Sequence, residues 1–301
     1  MMRALRIGVA FMLASAWPVS LHAQREQYAP LVLQLPATAR GAGLGGASVA
    51  VRDLDAIFAN PALTGVASGT AMSLARFSEF AGMGAVAASS ALGAFNVGIG
   101  VQFVDFEIAA QTIPVRSRVL TGSGVGAGAS LAAAFALNTT FKGLRWGAAA
   151  KYVEDRVATA RRGAPALDLG VATQGQTTYG IAVQNIGPAM DLGPARAELP
   201  LRVSAGAARF GVPVGPFDAG LSVSLSLLRG GFTSPAAGME WAYTPLDGYN
   251  VAVRAGVRRP ELREQQPFSG GASFTLDRFT LDYAIEDLAR GAAHRLALRV
   301  R

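Results

Sequence analysis

The feature that most constrains this chain is strict alternation of apolar residues with small or polar ones. In 220–227 every odd position is apolar and every even one is Gly or Ser. Phe279, Leu281, Tyr283 and Ile285 alternate with Thr280, Asp282, Ala284 and Glu286, and Leu296, Leu298 and Val300 alternate with Arg295, Ala297, Arg299 and Arg301. Val251, Val253, Ala255 and Val257 repeat the pattern against Ala252, Arg254, Gly256 and Arg258. Successive side chains of a strand point to opposite faces, whereas a helix advances by about 100° per residue and cannot hold such a pattern.

About fourteen segments of this kind follow one another, near 69–77, 81–91, 94–105, 125–138, 143–157, 164–174, 176–187, 198–210, 216–228, 234–244, 249–259, 266–276, 278–287 and 290–301. Their spacing and short turns, such as Asp247-Gly248, predict antiparallel neighbours closing into an all-β transmembrane barrel. Two stretches, 80–104 and 119–141, lack charge for long enough to imitate membrane helices, but glycines interrupt both and neither has the Leu/Ile density of a spanning helix. A soluble sandwich would also alternate, yet it would turn Lys, Glu and Thr outward. Here the polar face is mostly Gly, Ala and Ser, while Trp146, Tyr152, Trp241 and Tyr243 sit on the apolar face near strand ends, as an aromatic girdle would.

Composition narrows the function. The absence of cysteine excludes disulfides, thiolate metal sites and a cysteine nucleophile. The net charge of +7 is scattered, with no basic run longer than two, which gives nucleic-acid binding little support. Arg3 and Arg6, the apolar run Ile7–Ala16 and Leu21-His22-Ala23 read as a signal peptide over 1–23, cleaved after Ala23. His294 is then the one histidine left, and by phase it lies with Leu296 and Leu298 on the outward face, unsuited to serve a hydrolase. The reading is therefore not an enzyme, with no cofactor or metal.

Between the leader and the first strand lies a segment, 24–66, rich in small residues. Gly41, Gly43 and Gly46 fit a dinucleotide-binding spacing, but no strand precedes them, so a backbone threading a confined space is the better reading. Asp53 and Asp55 beside Arg52 read as a cap or local ion pair. The apolar residues Leu44, Ile57, Phe58 and Leu63 either seal the lumen or line a hydrophobic pocket. On the late strands Arg254, Arg258, Asp282, Glu286, Arg295 and Arg299 fall on the luminal phase, where pairing across the wall is favoured over a selectivity filter.

These residues resemble a known family. Leu35-Pro36, Ala39-Arg40, the run around Gly41, Gly43, Gly45 and Gly46, then Asp53 and Asn60-Pro61-Ala62 look like the amino-terminal signature of PorV/PorQ proteins, a group of FadL-like barrels. Lys151-Tyr152, 166–170, 183–188, 258–262 and 279–284 extend the resemblance along the chain, closest to PorQ. It implies a fourteen-stranded barrel over 67–301 in the outer membrane of a Gram-negative-type bacterium, with 24–66 folded into the lumen as a hatch. It also implies a docking role in type IX secretion, with attachment-complex proteins as partners. The alternative is passive transport of hydrophobic small molecules. That family usually ends on an aromatic residue, whereas this sequence ends Val300-Arg301.

Overall fold

The computed structural model describes residues 30–78, 81–108, 126–157, 160–192, 195–289 and 291–301. The leader proposed over 1–23 lies outside them. Fourteen strands close into one antiparallel barrel. The first seven are β1 (Gly69–Ser78), β2 (Ala81–Leu92), β3 (Phe95–Ile108), β4 (Gly126–Phe141), β5 (Leu144–Val157), β6 (Ala160–Thr173) and β7 (Thr178–Ile186). After a hairpin of β8 (Met190–Leu192) and β9 (Ala195–Ala197), the wall resumes with β10 (Arg202–Val214), β11 (Phe217–Leu228), β12 (Thr233–Leu246) and β13 (Tyr249–Arg258). It ends with β14 (Gln265–Leu276), β15 (Phe279–Leu288) and β16 (Gly291–Val300), and β16 pairs back onto β1 with Met72 opposite Leu298.

The period-2 pattern thus becomes a closed wall with strands where alternation placed them. No described helix is long and apolar enough to cross a membrane, and the two charge-free stretches form β2, β3 and β4. Several boundaries shift from the sequence reading by up to four residues. β6 begins at Ala160 instead of near 164, and β10 begins at Arg202 instead of near 198. The intervening 187–201 segment folds inward, burying Met190 and Leu199. Nothing local announces that turn inward, because those residues answer to partners elsewhere in the chain.

Outside, the barrel is apolar: Leu74, Leu221, Leu281 and Leu296 each stand more than half exposed. At the end where short turns join the strands, Trp146, Tyr179, Trp241, Tyr243, Tyr249 and Phe279 point outward as one aromatic band. Tyr152 lies farther along, toward the opposite, loop-bearing end of β5.

The amino-terminal segment fills the lumen with single helical turns at Leu31–Leu33, Ala56–Phe58 and Pro61–Leu63 and a short helix, α1 (Ala39–Gly43). Each turn closes locally. Thr38 Oγ1 accepts from the Gly41 amide at 3.0 Å, and Asn60 Oδ1 accepts from the Ala62 amide at 3.0 Å, ahead of Pro61 at the first helical position. Asn60 Nδ2 also donates to Val49 O at 2.9 Å, tying two passes of the segment together. Leu44, Leu54, Ile57 and Leu63 are completely buried, a burial of roughly 1.5–3 kcal/mol for each side chain.

Contact between segment and wall is backbone on backbone. A methyl at Gly238 would lie 2.6 Å from Leu44 O, and one at Gly256 would collide with Gly45 N. Gly45 itself has φ +66° and faces the backbone of Val257, so it meets both a conformational and a steric demand. We expect Gly256→Val to lower the urea unfolding midpoint of the detergent-solubilised barrel by an amount equivalent to about 1–3 kcal/mol. Gly270→Ala, whose added methyl has only ordinary contacts, should leave the midpoint within error.

Candidate luminal site

Inward positions on the late strands carry charge, and each charge meets its opposite inside the barrel. Arg40 of α1 donates to Asp53 Oδ2 at 3.0 Å and to Glu240 Oε1 at 3.0 Å. Glu240, on β12, also accepts from Arg254, directly opposite on β13. Arg254 Nη1 reaches Asp282 Oδ1 on β15 at 2.8 Å, Arg299 Nε on β16 reaches Asp282 Oδ2 at 2.6 Å, and Arg299 Nη1 returns to Asp53 Oδ1 at 2.7 Å. Three arginines and three carboxylates therefore form a closed, electrically neutral ring. A neighbouring triad has Glu286 between Arg258 at 2.7 Å and Arg295 at 3.0 Å.

The structure joins Arg40 and Asp53 from the segment with Arg254, Asp282 and Arg299, and pairs the other three wall charges singled out in the sequence, Arg258, Glu286 and Arg295, with one another. Glu240 is the member that sequence reasoning missed. The signal was present, since Trp241 and Tyr243 point outward and leave Glu240 on the inward phase. Asp53 does not pair with its neighbour Arg52. The guanidinium of Arg52 instead donates to the carbonyls of Thr173 and Gly175, at the turn after β6. The local ion pair read from the sequence is replaced by a cross-barrel one, because Arg40 and Arg299 reach the Asp53 carboxylate. Gly43 and Gly45 face the wall at Gly270, Gly271 and Val257, Gly41 faces Thr38 and Ser48 within the segment, Gly46 is exposed beside the cavity, and Asn60-Pro61 sits against the inner faces of Gly147, Gly170 and Gly180.

Electrostatics divide the two aspartates. Burial disfavours charge on Asp53, but Arg299 and Arg40 outweigh it and hold the carboxyl well below the usual range. Asp55 is pushed up from 3.8 to about 7, chiefly by burial and then by the neighbouring Asp53 charge.

A cavity of about 140 Å³ opens between the segment and the wall. One side is polar, with Ser204, Ser224, Ser226 and Ser234 from β10, β11 and β12, and the hydroxyls of Ser204 and Ser226 are 2.8 Å apart. The other side includes Leu33, Leu35 and Phe58. These three belong to an apolar zone with Val32, Met83, Val104, Val153, Met190 and Leu199. Of the four apolar residues left open by the sequence, Leu44, Ile57 and Leu63 seal against the wall, while Phe58 lines the cavity. His294 lies outside this site, on the outer surface, where Nδ1 is 2.7 Å from Tyr283 Oη. Among the described residues no group of His, Asp or Glu is arranged to hold a metal.

No family model matches the sequence, and a search of curated proteins gives no match. Solved structures do match. The toluene transporter TodX of Pseudomonas putida superposes with a TM-score of 0.58 at 10% identity, covering 88% of this chain and 96% of that one. The fold is that of FadL-like barrels. The Ralstonia pickettii toluene transporter TbuX gives 0.55 at 12% identity over 88% of this chain and 98% of its own, and a Pseudomonas aeruginosa FadL homologue gives 0.55 at 10% identity over 91% and 99%. TodX and TbuX are toluene transporters, and no sequence match singles out the PorV/PorQ branch.

Two outcomes follow from this geometry. Arg299→Ala leaves Asp53 and Asp282 each short of a buried cation and should reduce stability by about 3–5 kcal/mol in urea unfolding. Asp55 has a raised folded-state pKa, so the native barrel binds more protons than the unfolded chain between the two values. Its contribution is full below about pH 4 and is lost as pH rises toward 7. Asp55→Asn should remove that decline from the unfolding midpoint measured across this window.

Proposed function

We propose that this protein is an outer-membrane barrel for passive transport of hydrophobic small molecules. The observation that carries the reading is the apolar zone inside the barrel. Barrel interiors are ordinarily polar, and an apolar luminal surface beside a cavity offers a hydrophobic solute a place that water does not favour. The apolar outer face and its aromatic band support a lipid setting, and the FadL-like fold supports the transport class.

The domain organisation fits the same reading: a leader over 1–23, a hatch over 24–66 and a barrel over 67–301. Asn60 and Pro61 fix the hatch near the turn-bearing end through the wall glycines, and Arg40 and Asp53 fix its middle through the ionic ring. Leu33, Leu35, Ala37 and Phe58 are segment residues that lie both within the apolar zone and beside the cavity. Docking in type IX secretion draws on the PorV/PorQ resemblance alone. Two segments between wall strands that a docking surface would use are 105–116 and 188–198: the second carries the β8–β9 hairpin and buries Met190, and most of the first lies outside the described residues.

Nile red uptake tests the proposal in cells whose outer membrane excludes the dye and which lack a hydrophobic-solute barrel of their own. Expression of the chain should accelerate dye entry. Leu35→Asp, which puts a charge between the apolar zone and the cavity, should return the rate to that of cells without the chain while the folded barrel remains at wild-type abundance. Equal rates with and without the wild-type protein would rule transport out.

A further inference from the structure

The cavity's hydrogen-bonding groups are not evenly satisfied. Each cation lining it already has an anionic partner: Arg40 has Asp53 and Glu240, Arg202 has Glu261 at 2.5 Å, Arg258 has Glu286 at 2.7 Å, and Lys151 has Asp168 at 2.5 Å. No lining cation is therefore left without an anion, whereas two of the cavity's acceptors lack a donor. Gln102 on β3 is 6% exposed and its Oε1 has no hydrogen-bond partner, although it lines the cavity. Asp55 lines the same cavity, and no described residue donates a hydrogen bond to its carboxyl. Both lie close to Phe58: Asp55 O accepts from the Phe58 amide at 3.1 Å, and a methyl at Gly100, on the same face of β3 as Gln102, would be 2.8 Å from the Phe58 ring.

A buried acceptor without a donor is costly, and a ligand that supplies the donor recovers that cost. A carboxylate faces the opposite situation, because it must displace an existing carboxylate from a buried guanidinium or lie beside Asp55. Resting on the transport reading above, we propose that the cavity takes an amphiphile with a compact apolar body and a hydrogen-bond-donating end, an alcohol or an amine, and rejects the corresponding carboxylate. The apolar body would lie on Leu33, Leu35 and Phe58, with the donor toward Gln102 and Asp55.

Four probes share one apolar body and differ in the head: phenethyl alcohol, phenethylamine, phenylacetate and ethylbenzene. Saturation-transfer NMR on the full-length barrel in lipid nanodiscs should show the alcohol and the amine binding about tenfold tighter than phenylacetate. Gln102→Leu should weaken both donors and leave ethylbenzene unchanged, whereas Gln102→Glu should strengthen the amine. Asp55→Asn should reduce the preference for the amine over the alcohol. Equal binding of all four probes would overturn the donor-head inference while leaving hydrophobic transport standing. Phenylacetate binding as tightly as the alcohol would overturn it too, and binding of none would remove both readings.

Discussion

A closed ring of alternating charge, Arg40–Asp53–Arg299–Asp282–Arg254–Glu240, holds the inside of this barrel to its wall. Two members come from the luminal segment and four from β12, β13, β15 and β16. Buried ion pairs are not strongly stabilising against well-packed apolar groups, but removing one partner is severe because an uncompensated charge remains. The ring therefore specifies position more than it adds stability. With α1 fixed beside β13–β15 and Asp53 fixed beside β16, the segment has one way to thread the lumen.

That threading depends on a second device, the absence of side chains at the contact. Gly238 and Gly256 admit the backbone of Leu44 and Gly45, and Gly147, Gly170 and Gly180 admit Asn60-Pro61-Ala62. Wall and segment approach within backbone distance on both sides of the lumen. Between segment and wall lies the cavity, with Ser204, Ser224, Ser226 and Ser234 as well as Leu33, Leu35 and Phe58 in its lining. The ring and the glycines thus set where the segment stands off from the wall, and the amphipathic cavity opens there.

Much of the wall could be read directly. Alternation on β11, β13, β15 and β16 places each residue inside or outside, because strand geometry reverses the side chain at every step. The same phase puts Arg254, Arg258, Asp282, Glu286, Arg295 and Arg299 in the lumen and leaves His294 outside. The segment was less legible. Asp53 sits next to Arg52 in sequence, yet its partners lie 13 and 246 residues away, and the β8–β9 hairpin turns inward to meet residues far along the chain. Unsatisfied groups such as Gln102 Oε1 carry no sequence signature, since satisfaction is a property of neighbours.

By itself, then, the sequence determined a wall of about fourteen strands, the facing of those that alternate strictly and six of the luminal charges, because a period of two is a local property that survives whatever the strands pack against. Tertiary structure alone decided which charges meet, which glycines serve as notches and which acceptors are left unpaired. Those outcomes depend on closing the barrel around its own amino-terminal segment, where distances are set by register and backbone approach and not by spacing along the chain.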